Sequence, residues 1–137
     1  MSYSTNGWYN IQSVMVDATN TGNYFMGNTP PGFRFVPMVL TVEPVTVTGV
    51  GGGATYPTIS VGTNGATYDN WLNATPLPTL NQYDTVLTGA GGVSPAPSVD
   101  PATPVYCDVS VATTNITTYT MRVGISGLLY KFPTIGP

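Results

Sequence analysis

Thirteen prolines, spread from Pro30 to Pro137 among 16 glycines, constrain this chain more than any other feature. Proline removes a backbone donor and clashes with the preceding helical turn, so this spacing interrupts most candidate helices. Between the breaks, the apolar residues of the C-terminal third follow a period of two. Val105, Cys107, Val109 and Val111 fall on one side, and Tyr106, Asp108 and Ser110 on the other. After Thr113-Thr114-Asn115, a second run sets Tyr119, Met121, Val123 and Ile125 against Thr120, Arg122, Gly124 and Ser126. Alternation with one polar face marks half-buried antiparallel strands. The two runs are close enough to pair as a hairpin. Gly124 and Gly127 are candidates for a bend or bulge in the longer strand.

The remaining segments read the same way at lower contrast. Residues 11–16 form a first strand, and 17–32 are turn-rich, ending in Thr29-Pro30-Pro31-Gly32. Residues 33–42 are apolar and rich in aromatic and β-branched types, interrupted by Pro37, which places an edge or a bulge there. Val45 to Thr48 alternate again, and Gly49-Val50-Gly51-Gly52-Gly53 reads as a flexible connection. Residues 55–62 form another strand, followed by a tight turn at Asn64-Gly65. Residues 68–74 are the one place for a short helical turn. Residues 83–88 form a further strand, closed by Gly89 to Gly92. Pro95, Pro97, Pro101 and Pro104 make 93–104 a stiff extended loop.

About seven strands with frequent turns predict an all-β fold, an antiparallel β-sandwich or a barrel. The jelly-roll form of the sandwich is favoured because the strands are unevenly spaced and several connections are long. The Cys–Trp–Cys pattern of antibody domains is missing. A chain of 137 residues suits one domain, read here as an N-terminal arm (1–10) and a single β-sandwich domain (11–137). At this length a hydrophobic core is feasible without disulfides, and with Cys107 alone no intramolecular disulfide exists.

Only 7% of residues are charged, against about 25% in an average globular domain. The surface is therefore built from neutral polar groups, threonine above all. Such a surface weakens repulsion between copies and suits dense packing against other proteins. Arg34, Arg122 and Lys131 are far apart in sequence and the net charge is −3, so nucleic acid is not an expected partner. No stretch approaches the roughly 20 apolar residues of a membrane-spanning helix. Residues 1–8 lack the basic and apolar regions of a secretory signal.

The chain contains no histidine, which removes the commonest general base and the commonest zinc ligand. Cys107 lies on the apolar side of its strand and reads as a buried small hydrophobe. The six carboxylates are Asp17, Glu43, Asp69, Asp84, Asp100 and Asp108. Most sit beside turns or strand ends, where aspartate closes turns. Paired-carboxylate glycoside hydrolysis is a minor possibility for such a set. No Asp-x-Asp-x-Asp cluster points to calcium, and the glycine runs lack the lysine of a phosphate loop. The expectation is a non-enzyme without cofactor or metal.

Binding capacity lies in the aromatics. Tyr3, Trp8 and Tyr9 crowd the first ten residues among polar neighbours, where they either anchor an interface or cover the domain's own core. Tyr24, Phe25, Tyr68 and Trp71 fall in or beside loops and are candidates for a subunit contact or a sugar platform. The stretch Ile59-Ser60-Val61-Gly62-Thr63-Asn64-Gly65-Ala66-Thr67-Tyr68-Asp69-Asn70, and the strand Tyr119-Thr120-Met121-Arg122-Val123-Gly124-Ile125 with its aromatic tail, resemble small virion proteins of tailed bacteriophages. These include capsid decoration (cement) proteins and fibre-associated β-domains. The resemblance covers about half of the chain and transfers no catalytic residue. It implies a β-sandwich that forms an oligomer, often a trimer, on a capsid or tail; the favoured expectation is the capsid surface, with the major capsid protein or other virion proteins as partners. The competing expectation is a carbohydrate- or receptor-binding module of a tail fibre.

Overall fold

The computed structural model describes residues 7–12, 15–65, 67–77, 82–87 and 100–130. Among these, nine strands and no helix are found: β1 (Gly7–Gln12), β2 (Val16–Asp17), β3 (Gly22–Asn28), β4 (Arg34–Thr55), β5 (Thr58–Gly62), β6 (Leu72–Pro76), β7 (Tyr83–Val86), β8 (Pro104–Val111) and β9 (Thr114–Tyr130). One sheet runs β1-β9-β4-β7, with β2 also paired to β9, and the other runs β3-β8-β5-β6. Every pairing is antiparallel. The partners are nested: β1 and β2 with β9, β3 with β8, β4 with β7, and β5 with β6. Among these strands the chain crosses from sheet to sheet at six of eight connections, staying within a sheet from β1 to β2 and from β5 to β6. The result is an antiparallel β-sandwich.

The alternation read from the sequence points into one core. Val105, Cys107 and Val109 of β8 and Tyr119, Met121, Val123 and Ile125 of β9 are all fully buried. They share that core with Phe35, Leu40 and Val42 of β4, Ile59 and Val61 of β5, and Trp71. Val111 departs from the pattern and is exposed at the end of its strand. The two runs do not form a hairpin with each other, as their short separation suggested. β8 lies in the second sheet and β9 in the first. The amide of Thr113 donates to the Ala18 carbonyl at 3.0 Å as the chain crosses between them. Facing apolar sides satisfy burial across the sandwich as well as within a hairpin, so periodicity alone does not separate the two arrangements.

Several expected boundaries move. Gly7–Asn10 belong to β1, in register with Leu129 through Ser126 of β9, so the first strand begins before residue 11. Ladder bonds to a long central strand stabilise a segment too polar to fold alone. Residues 1–6 and most of the proline-rich 93–104 stretch lie outside the described residues. The turn-rich 17–32 stretch contains strand β3, whose Gly and Asn content hid it. The glycine run 49–53 lies within strand β4 rather than a separate connection; Val50 opposes Ile116 of β9, and the register breaks between Val50 and Thr55. There Gly49 and Gly51 leave space that Thr117 and Asn115 side chains occupy. No helical turn forms at 68–74; Leu72–Pro76 are β6.

The bulge expected at Pro37 is present as a register shift between Pro37 and Val39. Its partner position is Gly127. A Cβ there would lie 2.1 Å from the Val36 carbonyl oxygen and 2.7 Å from Phe35 Cζ. The contact is with backbone, so a side chain there forces the two strands to shift, and glycine avoids that cost.

Gly127→Ala should destabilise the fold by about 1–3 kcal/mol in urea unfolding. Gly7→Ala, with nothing within 4 Å of the new Cβ, should shift the midpoint little. Trp71, 1% exposed and 5.8 Å from Phe35 between ring centroids, should lose about 3–5 kcal/mol on substitution by Ala. Trp8→Ala, at a residue 57% exposed, should change stability by no more than about 0.5 kcal/mol. Equal losses at the two tryptophans would contradict this division.

Candidate functional site

The outward sides of the two sheets carry different chemistry. On the first sheet, ladder register places Trp8 beside Leu128 and Leu128 beside Val36. One step along, Asn10 meets Ser126, Ser126 meets Val39, and Val39 meets Val86. Trp8 is 57% exposed, Leu128 38% and Val86 62%. Directly opposed residues on one face are close neighbours, so these side chains form one apolar patch across four strands. Tyr9 points the other way and packs edge-on against Phe35, with ring centroids 6.3 Å apart. Of the two adjacent aromatics, Tyr9 covers the core and Trp8 faces out.

On the second sheet, Phe25 of β3 opposes Tyr106 of β8, and Tyr106 opposes Gly62 of β5. Tyr106 forms a tilted pair with Phe25 at 5.4 Å and a stack with Tyr68 at 4.5 Å and 29°. Tyr68 reaches it from the β5–β6 loop, which lies across the outer side of β5. Gly62 permits this crossing, because a Cβ there would fall 2.1 Å from Asn70 Oδ1. Ser60 Oγ donates to the Thr67 carbonyl at 3.1 Å, a second tie between strand and loop.

The loop is organised by Asn64. Its Oδ1 accepts from the Asp69 amide at 2.8 Å and the Asn70 amide at 3.1 Å, and its Nδ2 donates to Asp69 Oδ1 at 2.7 Å. Tyr68 N–H donates to the Asn64 carbonyl at 2.8 Å. Asn70 closes the loop from the other side, accepting from the Thr63 amide at 2.8 Å and donating to Thr63 Oγ1 at 3.0 Å. The bonds fix Tyr68 at φ +47°, a conformation uncommon for residues other than glycine.

Beside the stack is a groove of about 210 Å³ lined by Ser60, Thr67, Asp69, Ala74, Asp108 and Ser110. Hydrogen bonds from Asn64 and Thr67 hold the Asp69 carboxyl below the usual range. Partial burial pushes the Asp108 carboxyl up. Among the described residues, no group of three or more Cys, Asp or Glu side chains is placed to hold a metal ion. The Cys107 thiol, fully buried, is pushed up to about 12 by burial and by the Asp108 charge. It is a core hydrophobe, as its position in the alternation indicated.

The seven sequence candidates therefore separate. Phe25 and Tyr68 come together, joined by Tyr106, which sequence reading left on a polar face. An aromatic on the solvent side of a strand, one strand-width from two others, was the available signal. Tyr24 sits in β3, half-buried against the core, with its hydroxyl donating to the Asp17 carbonyl at 2.9 Å. Trp71 is a core residue and not a surface anchor, because the loop before it folds back and turns the indole inward. Tyr9 is likewise packed on the core, Trp8 is exposed, and Tyr3 lies outside the described residues. Of the carboxylates, Asp17 closes a turn by accepting from the Thr19 amide at 3.0 Å. Asp100 pairs with Arg34.

No family model matches the sequence, and no curated protein does. Solved structures do resemble the fold. A chain of the cyanophage Pam1 capsid asymmetric unit superposes with a TM-score of 0.59 at 18% identity, over 93% of this chain and 86% of that one. A chain of the Ralstonia phage GP4 capsid gives 0.59 at 12% identity, over 97% and 88%. A chain of the acidic stable capsid of Helicobacter pylori bacteriophage KHP30 gives 0.50 at 14% identity, over 92% and 91%. What this chain has in common with these phage capsid chains, over nearly its whole length, is the β-sandwich fold.

Proposed function

We propose that the protein is a structural component of a tailed-phage virion, one that binds the capsid surface and stabilises it as a decoration or cement protein. The observation that carries this reading is the outward apolar patch of Trp8, Leu128, Val36, Val39 and Val86 on a β-sandwich with few charged residues. Its solvent-facing tryptophan and aliphatic neighbours have the composition of an interface anchor. Burying them against a partner would supply about 25 cal/mol per Å² of apolar surface, multiplied over every copy on a particle. Likeness of fold to chains of three phage capsids supports the virion assignment. The nested strand pairing, equivalent to a long hairpin rolled over on itself, supports the jelly-roll form of the sandwich. The partner is the major capsid protein or another virion protein, and the protein assembles as an oligomer, with a trimer favoured.

This role requires no turnover. Without histidine, and with its thiol buried, the chain lacks the usual nucleophile–base pairs. Affinity then depends on shape and apolar area, not on a reacting group.

Particles lacking the protein, incubated with the purified full chain, should retain it on co-sedimentation. The double substitution Trp8→Ser, Leu128→Ser should weaken retention at least about tenfold while leaving the unfolding midpoint within about 0.5 kcal/mol of the parent. Deleting residues 1–10 is the poorer test, because it removes Gly7–Asn10 from β1. Full retention by the double variant would remove the patch from the account. Retention on tails and not on capsids would favour the competing assignment, a carbohydrate- or receptor-binding module of a tail fibre.

A further inference from the structure

We propose that the outer side of the second sheet is a saccharide-binding site for a neutral pyranose. The rings of Tyr68, Tyr106 and Phe25 would receive the apolar face of the sugar, and Asp69 and Asp108 would accept hydrogen bonds from its hydroxyls. The inference is independent of the capsid reading, since it uses the opposite face of the sandwich from the Trp8 patch.

Three observations converge on this chemistry. First, the rings form a contiguous aromatic surface, with Phe25 45% exposed and Tyr68 capping the stack at 4.5 Å from Tyr106. A stacked ring presents its other face away from its partner, and the C–H face of a pyranose is the flat apolar surface that matches it. Second, the adjoining groove is rich in acceptors. Ionised carboxylates accept only. The exposed Ser110 hydroxyl already donates to the Thr58 carbonyl, so it retains lone pairs to accept with, whereas Ser60 is buried and only ties the strand to the loop through the Thr67 carbonyl. No lysine or arginine lines the groove. A ligand that fits must donate several hydrogen bonds and carry no negative charge, which describes a neutral polyol and excludes a phosphate or an acidic peptide. Third, the volume of about 210 Å³ lies below the roughly 300–1,000 Å³ of drug-sized pockets, leaving room for one ring with the remainder of a chain lying over the aromatics.

The site is also held in place before any ligand arrives. Asn64 and Asn70 fix the loop through backbone and side-chain bonds, and Tyr68 is kept at a positive φ that an unrestrained tyrosine would leave. Rigid aromatic placement lowers the ordering cost of binding.

The test uses the purified full chain on an array of neutral and acidic oligosaccharides, followed by calorimetric titration with the best-bound neutral oligosaccharide. Binding to neutral pyranose oligosaccharides at millimolar affinity or tighter is expected. Tyr68→Gly removes the ring while relieving the positive φ, and Asp108→Asn keeps the side-chain shape while removing the charge. Each should weaken binding about tenfold with the unfolding midpoint retained. Trp8→Ser should leave the affinity unchanged. Absence of binding at millimolar sugar by the folded parent, preference for acidic sugars, or undiminished affinity in both Tyr68→Gly and Asp108→Asn would overturn the proposal.

Discussion

The structure depends on one exclusion of water, that between the inward sides of two sheets in a chain with few charges to contribute. Tyr119, Met121, Val123 and Ile125 of the first sheet and Val105, Cys107 and Val109 of the second are closed off completely, with Phe35 and Trp71 filling the space among them. Apolar burial is non-directional, so it fixes which residues point inward but not which strands are neighbours. Neighbours are fixed by the backbone ladders, and above all by β4 and β9, which run side by side from Arg34 opposite Tyr130 to Thr55 opposite Thr114. A pair of that length carries β1, β2 and β7 as attachments. Its tight passage of backbone against backbone, Gly127 at the Val36 carbonyl, coincides with the Pro37 bulge, so proline and glycine act there as complementary parts of one irregularity.

With the inward sides committed to the core, the outward sides are free to differ. The first presents aliphatic and indole surface; the second presents stacked phenols beside carboxylates. The second depends on a loop that doubles back over its own strand, and that path exists because Gly62 has no side chain to obstruct Asn70. The same loop turns Trp71 inward, so a single local reversal both completes the core and builds the aromatic surface.

Much of this was legible before any coordinates. The period-two runs at 105–111 and 119–125 named the core correctly apart from Val111, and the proline spacing excluded long helices. The lone cysteine was correctly read as packing. Weakly patterned segments were not legible. β3 lacks β-branched residues and the glycine run of β4 has only Val50, and they become strands because a partner strand offers unpaired backbone groups at the right spacing. Trp8 and Tyr9 look alike in sequence, yet alternation on a paired strand sends one outward and one inward.

The sequence by itself determined the inward sides of β8 and β9, the all-strand character and the absence of imidazole chemistry, because these follow from residue type and local period. Only the tertiary structure decided that β8 and β9 face each other from different sheets. It also decided that Tyr106 joins Phe25 and Tyr68, and that Asp69 meets Asp108 at one groove. Those are relations between residues distant in the chain. They are set by which backbone edges pair, a choice that burial leaves open and hydrogen-bond register closes.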